Sequence, residues 1–117
     1  MIIKELSTPL ALAKEEILND YRLVCESRQV SILGRKEAKI PAAVVPRTRI
    51  LGQTDGVLKA IIHRETDQIL GFTLFCAEAQ ELVNTVRLAL LVGMTFAQLR
   101  DQIYTHPSMT EAFNYFD

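Results

Sequence analysis

Gly56-Val57-Leu58-Lys59-Ala60-Ile61-Ile62-His63 and Gln68-Ile69-Leu70-Gly71-Phe72-Thr73-Leu74-Phe75 flank the polar tetrapeptide Arg64-Glu65-Thr66-Asp67. Two β-rich runs around a short polar turn predict an antiparallel hairpin. Both runs are mainly apolar with few alternating polar positions, which predicts cover on both faces for part of their length. Gly71 inside the second run marks either a bulge or a close backbone approach.

Downstream of the hairpin the period changes from two to about 3.6. Ala79, Leu82, Val83, Val86, Leu90 and Gly93 follow helical spacing, so residues 77–92 are predicted to be helical, with Gly93 as the stop. The second half of this helix is apolar almost all round through Leu88, Ala89, Leu91 and Val92. A helix apolar on two sides needs two partners, its own sheet and another chain. Thr95 is placed to cap a short helix over residues 96–103, and Ser108 to begin another over residues 109–116.

Upstream, Thr8-Pro9 reads as a cap followed by proline at the first helical position, opening a helix over residues 9–21. Residues 22–33 alternate loosely and predict a strand with a break near Glu26-Ser27. Ile40-Pro41-Ala42-Ala43-Val44-Val45-Pro46 carries two prolines, which excludes a central strand and leaves an edge or an irregular connection. A hairpin followed by helices, without βαβ alternation, gives an α+β layer: an antiparallel sheet with helices packed on one face.

A chain of 117 residues is expected to form a single domain. Its net charge of −1 supplies no electrostatic reason to expect nucleic acid or an anionic membrane as partner. No apolar run approaches the ~18 residues of a membrane span, and Met1-Ile2-Ile3-Lys4-Glu5 lacks the long apolar region of a signal peptide. Cys25 and Cys76 are too few and too far apart for a zinc framework or a CxxC pair, and read as small hydrophobes in a reducing cytoplasm. A disulfide between them stays open. The cluster Lys36, Lys39, Arg47 and Arg49 and the turn-side His63 read as solvated positions.

The chemistry-bearing stretch is His106-Pro107-Ser108-Met109-Thr110-Glu111. A neutral imidazole passes a proton near pH 7, and a carboxylate on its other nitrogen fixes tautomer and orientation. A second reading competes with this one. Ser108-x-x-Glu111 also spells a capping box, in which Glu111 only closes the first turn of the last helix. Tyr104, Phe113, Tyr115 and Phe116 flank the histidine and could line a groove or complete the core.

The hexapeptide resembles the His-Pro-(Thr/Ser)-x-x-Glu signature of the class I pyridine nucleotide–disulfide oxidoreductases, carried in their C-terminal dimerisation domain. Gly56-Val57-Leu58-Lys59 with Gln68-Ile69-Leu70-Gly71 resembles that domain's hairpin. Glu81-Leu82-Val83-Asn84 resembles the start of its long helix, and Val92-Gly93-Met94-Thr95 with Leu99 and Ile103 the lead-in to the histidine. These elements keep the family's order from about Pro41 to Glu111. Pro41-Ala42-Ala43-Val44-Val45-Pro46-Arg47-Thr48-Arg49 and the His-Pro-Ser-Met spelling resemble the branch of reactive-chlorine and hypothiocyanous-acid resistance reductases. Residues 1–40 are atypical and residues 41–117 family-like, within one dimerisation domain.

The resemblance implies a homodimer, with Leu88, Leu91, Val92, Tyr104 and Pro107 at its interface. It implies that His106 and Glu111 form an acid–base pair completing the partner subunit's active site in the intact enzyme. FAD and NAD(P)H would belong to upstream domains. This chain contains neither a Gly-x-Gly-x-x-Gly turn nor a Cys-x4-Cys disulfide, so alone it is expected to bind no cofactor and to be inactive. The alternative is a stand-alone, non-enzymatic dimeric interaction module derived from that domain.

Overall fold

The computed structural model describes the backbone at residues 2–5, 19–24 and 32–117, and side chains at residues 33–117. Five strands form one antiparallel sheet: β1 (Ile2–Glu5), β2 (Asn19–Val24), β3 (Arg35–Pro41), β4 (Val57–His63) and β5 (Ile69–Cys76). Their order across the sheet is β1-β2-β5-β4-β3. The helices are α1 (Pro46–Leu51), α2 (Ala79–Leu91) and α3 (Phe96–Arg100), with 3-10 turns at Ile32–Gly34, Ala42–Val44 and Thr110–Tyr115.

The hairpin stands where its sequence puts it. Its cover differs from the expectation in β4, which alternates strictly: Leu58, Ala60 and Ile62 are buried and the residues between them half-exposed, so this strand is covered on one face only. Strand β5 is buried on both faces only over its first half, from Ile69 to Phe72. The ladder runs from Val57↔Phe75 to Ile61↔Gly71 and then shifts to Ile62↔Ile69, which leaves Leu70 as the extra residue. This bulge sits beside Gly71 and keeps Ile69 opposite Ile62 on the core face. Asp67 closes the turn in the left-handed region (φ 62°), a conformation aspartate tolerates better than most residues.

One face of the sheet is the core face. Ile40, Leu58, Ala60, Ile62, Phe72 and Leu74 join Leu82, Val83 and Val86 of α2 and Phe96, Phe113 and Phe116 of the C-terminal segment in a single cluster. Phe72 is its hub, with Phe113 and Phe116 edge-on at 5.8 and 5.9 Å between ring centroids. These contacts pin the last turn of the chain to the middle of β5. Phe113 and Phe116 therefore complete the core, whereas Tyr104 is half-buried and Tyr115 exposed.

The element boundaries differ from the sequence expectations at five places. Asn19, Asp20 and Tyr21 belong to β2, paired with Cys76, Phe75 and Leu74, and do not end a helix. Asn and Asp are weak helix formers, and sheet pairing outweighs the upstream periodicity. The rest of the helix predicted over 9–21 lies outside the described residues, as does the strand break near Glu26-Ser27. Of the strand expected over 22–33, residues 22–24 lie in β2, Leu33 lies in a 3-10 turn, and residues 25–31 lie outside the described residues. Helix α2 begins at Ala79, because Glu78 is left-handed (φ 57°). Helix α3 stops at Arg100, three residues early, and the last helix is a 3-10 turn that starts after Met109.

The prolines of residues 40–46 are explained by topology. Strand β3 lies at the sheet edge and ends at Pro41, and Pro46 occupies the first turn of α1. The buried Thr48 hydroxyl bonds the carbonyls of Val45 (2.7 Å) and Ala42 (3.1 Å), locking this corner. Helix α2 ends in a Schellman arrangement: Met94 N–H donates to Ala89 O (2.9 Å) and Gly93 N–H to Leu90 O (3.2 Å), with Gly93 at φ 72°.

Candidate functional site

Thr95 and Gln98 make a reciprocal capping box at the start of α3, at 3.2 and 2.9 Å. The hairpin turn reinforces it, since Asp67 accepts Phe96 N–H on its carbonyl (2.9 Å) and Ala97 N–H on Oδ2 (2.7 Å). Helix α3 is thereby tied to the sheet before the chain enters the loop that carries His106. The His106–Pro107 peptide is cis.

His106 Nδ1 lies 2.7 Å from Glu111 Oε2. An ionised carboxylate can only accept, so Nδ1 carries the proton and a neutral ring presents Nε2 as a lone-pair acceptor. The two side chains differ in setting: 65% of the His106 side chain is exposed, against 9% for Glu111. Nε2 has no protein partner among the described residues. The arrangement is an open imidazole backed by a nearly dry carboxylate.

Only half of the capping box is built here. Ser108 Oγ accepts Glu111 N–H (3.2 Å) and donates to Thr105 O. The Glu111 carboxylate turns instead to His106 and, more distantly, to the Tyr115 hydroxyl (3.5 Å). Cap and imidazole contact thus use different atoms of Glu111.

Of the residues expected at an interface, Leu88, Val92 and the half-buried Tyr104 line one groove. Leu88, Leu91 and Val92 are 64%, 78% and 73% exposed, and Pro107 is exposed as well. Among the described residues, a groove of about 320 Å3 joins this stripe to the histidine loop, walled by Leu88, Ala89, Val92, Met94, Leu99 and Tyr104. Tyr104 donates to Leu99 O from its wall, and burial pushes its phenol pKa up, so the group stays a neutral donor.

Elsewhere the titratable groups are structural. Cys76 is a free, buried thiol; burial first and the Glu78 charge second push it up to about 12, which keeps it protonated and unreactive. His63 Nδ1 accepts the N–H groups of Glu65 and Thr66 at 3.2 Å each, capping the hairpin turn. Lys36 and Lys39 stand exposed on the edge strand β3, where charge discourages pairing with another sheet. Among the described residues no three His, Cys, Asp or Glu side chains gather to hold a metal. The positive-φ glycines Gly52 and Gly93 end helices and Gly56 precedes β4. None opens a helix after a parallel strand, as a dinucleotide pyrophosphate requires, so the described residues do not fit FAD or NAD(P)H.

An antiparallel sheet with helices on one face defines an α+β domain, and it presents an imidazole–carboxylate pair beside an exposed apolar stripe. The pyridine nucleotide-disulphide oxidoreductase dimerisation domain matches residues 26–115, and the chain belongs to that family. It is 44% identical over 75 residues to the probable pyridine nucleotide-disulfide oxidoreductase RclA of Escherichia coli (strain K12), covering 64% of this chain and 17% of that protein. It is 36% identical over 78 residues to mitochondrial dihydrolipoyl dehydrogenase of Rattus norvegicus, covering 67% and 15%. The structure of the Cu(II) complex of the HOCl-induced flavoprotein disulfide reductase RclA from Escherichia coli superposes with a TM-score of 0.77 at 33% identity, over 97% of this chain and 24% of that one. The chain spans less than a quarter of the length of these relatives. Among the described residues no helix is long and apolar enough to cross a membrane.

Sequence reading did not find Asn114 or Asp67 at this site. Asn114 donates from its side-chain amide to Arg100 O (2.6 Å) and Gln102 O (2.8 Å). Its only signal in the sequence is a polar residue set between Phe113 and Tyr115.

Proposed function

We propose that this chain serves as the dimerisation domain of a cytoplasmic, flavin-dependent, NAD(P)H-linked disulfide oxidoreductase. In the assembled homodimer, His106 reaches the partner subunit's dithiol. His106 Nε2 takes the proton when a thiol becomes a thiolate and returns it when a thiolate leaves. Glu111 holds the Nδ1 proton and stabilises the imidazolium that forms. The 2.7 Å contact between an exposed imidazole and a nearly buried carboxylate carries the reading. FAD and NAD(P)H supply hydride and electron transfer from upstream domains, so the 117 residues alone bind no flavin and reduce nothing.

Leu88, Leu91 and Val92 supply the two-fold contact, since a monomer that leaves such a stripe in water gains by covering it. Joining the chain to upstream FAD and NAD(P) domains and comparing His106→Gln with wild type in dithiol-coupled turnover tests the reading. The variant is expected to lose ~10²-fold or more in kcat while still forming a dimer. Unchanged turnover overturns the catalytic role and leaves a dimeric interaction module. A stoichiometric yellow cofactor on the purified 117-residue chain, or a monomer by light scattering at high micromolar concentration, would count against the cofactor and dimer assignments respectively.

A further inference from the structure

The loop that carries His106 has no backbone ladder of its own. Among the described residues, main-chain bonds stop with Asp101 N–H to Ala97 O and resume with Ala112 N–H to Met109 O. Side chains hold four carbonyls around this gap. Tyr104 holds Leu99 O, Ser108 holds Thr105 O, and Asn114 holds both Arg100 O and Gln102 O. Tyr104 and Ser108 act within the loop or on its immediate neighbour. Of the side chains that hold these carbonyls, Asn114 alone comes from the 3-10 turn Thr110–Tyr115 that bears Glu111.

The spacing makes this contact informative. In a 3-10 helix, side chains three residues apart eclipse one another, so Glu111 and Asn114 project from the same side of one turn. Glu111 extends to His106, and Asn114 to carbonyls six and four residues before it. Two struts from one rigid turn therefore hold one loop at separate points. The turn itself is fixed by Phe113 and Phe116 against Phe72. Both partners of Asn114 are carbonyl oxygens, so only the amide nitrogen can face them, and both of its hydrogens are used.

We infer that Asn114 is a positioning residue that sets the reach of the His106 loop, so that Nδ1 meets the Glu111 carboxylate; its kinetic consequence rests on the proton-transfer reading above. Asn114 is exposed, so its replacement leaves the aromatic core intact. Asn114→Asp keeps the shape but turns a carboxylate toward two carbonyls. Asn114→Ala removes both donors without adding charge.

The spectroscopic readout is the downfield Nδ1 proton resonance of His106 in the 117-residue chain, assigned by its absence in His106→Gln. It is expected to broaden or vanish in Asn114→Asp and to weaken in Asn114→Ala. In protein joined to its upstream domains, kcat is expected to fall ~10-fold, since small misplacement of a reacting group is enough for such losses. A resonance unchanged in either folded variant overturns the inference. Unfolding of both variants overturns it too, because Asn114 would then support the fold instead of the loop. If the resonance is lost but His106→Gln retains full turnover, the clamp stands and the catalytic reading falls. If the resonance persists while His106→Gln is inactive, the reverse holds.

Discussion

Replacing Glu111 by alanine separates its two possible duties, because cap and imidazole contact use different atoms. The cap is Glu111 N–H on Ser108 Oγ, a backbone donor that every side chain retains. The imidazole contact belongs to Oε2 alone. A hydrogen bond to a charged group contributes about 1.5–3 kcal/mol net, but most of the His106 side chain is in water, which places this one at the low end. Removing a carboxylate that is only 9% exposed also relieves its desolvation, offsetting part of that loss. The net change in stability is about 0–1 kcal/mol, or up to ~4 °C in Tm for a domain of this size.

Catalysis should respond far more strongly. Without Oε2 the ring no longer has one preferred tautomer, and the imidazolium loses its counter-charge. General acid–base assistance is worth ~10²–10⁴-fold, so Glu111→Ala is expected to lower kcat about 10²-fold, some 2.7 kcal/mol of barrier. Glu111→Gln keeps an acceptor oxygen and loses the charge, so it should fall between, about tenfold down. Calorimetry on the chain and dithiol-coupled NAD(P)H oxidation in protein joined to upstream domains read the two quantities. Turnover of Glu111→Ala within about threefold of wild type, under ~0.7 kcal/mol of barrier, combined with a marked drop in Tm, would refute the orienting role.

Three further outcomes follow from other parts of the molecule. Gly56 has φ +125°, and an added Cβ would lie 1.9 Å from Phe75 O, so Gly56→Ala should cost more than about 3 kcal/mol in chemical denaturation; a cost under ~1 kcal/mol would contradict the close approach of these two backbones. Cys76 titrates near 9.0 when unfolded and at about 12 when folded, so above pH ~9 the unfolded chain binds fewer protons and stability falls with rising pH, by ~1.4 kcal/mol per pH unit. Cys76→Ala should remove that slope in denaturation midpoints measured from pH ~8 to ~11, and a slope unchanged by the substitution would contradict the burial. Leu91→Asp should weaken self-association by about 30-fold or more, because each apolar side chain covered in an interface contributes ~2 kcal/mol, while leaving the monomer's Tm near wild type; unchanged sedimentation would remove Leu91 from the interface.

The hairpin and α2 were legible in the sequence because each signals itself within one element. The β-rich apolar runs flank a polar turn, α2 repeats at helical spacing, and Gly93 marks a left-handed stop. Strand β3 was not legible as a strand. Arg35-Lys36-Glu37-Ala38-Lys39 reads as polar surface, and an edge strand needs only one partner and little apolar content. Helix α1 was hidden for a related reason, since Pro46 punctuates the chain whether it ends a strand or opens a helix. The ambiguity at Glu111 was resolved only by side-chain direction. Spacing allows the carboxylate to reach back to Ser108 or across to His106, and both fit the same six letters. The Asn114 bonds span twelve and fourteen residues, beyond any local pattern.

On the proposed reading, the exposure of His106 gives a physical reason for a second surface over the pair. A proton acceptor in open water competes with solvent, and its local dielectric is too high for a neighbouring charge to bias proton transfer strongly. Covering Nε2 would lower that dielectric without disturbing Nδ1, which is already committed to Glu111. The means of covering it lie close by in the fold. The groove walled by Leu88, Val92 and Tyr104 runs from the apolar stripe of α2 to the segment two residues before His106. Ile103, next to Tyr104 in sequence, is a further fully exposed apolar side chain. On the proposed reading, one docking event both buries the stripe and desolvates the imidazole. Charges placed on the stripe should then reduce turnover in proportion to the loss of dimer. His106→Gln should reduce turnover with the dimer intact, and the contrast between these two variants tests whether assembly and proton transfer are coupled through this surface.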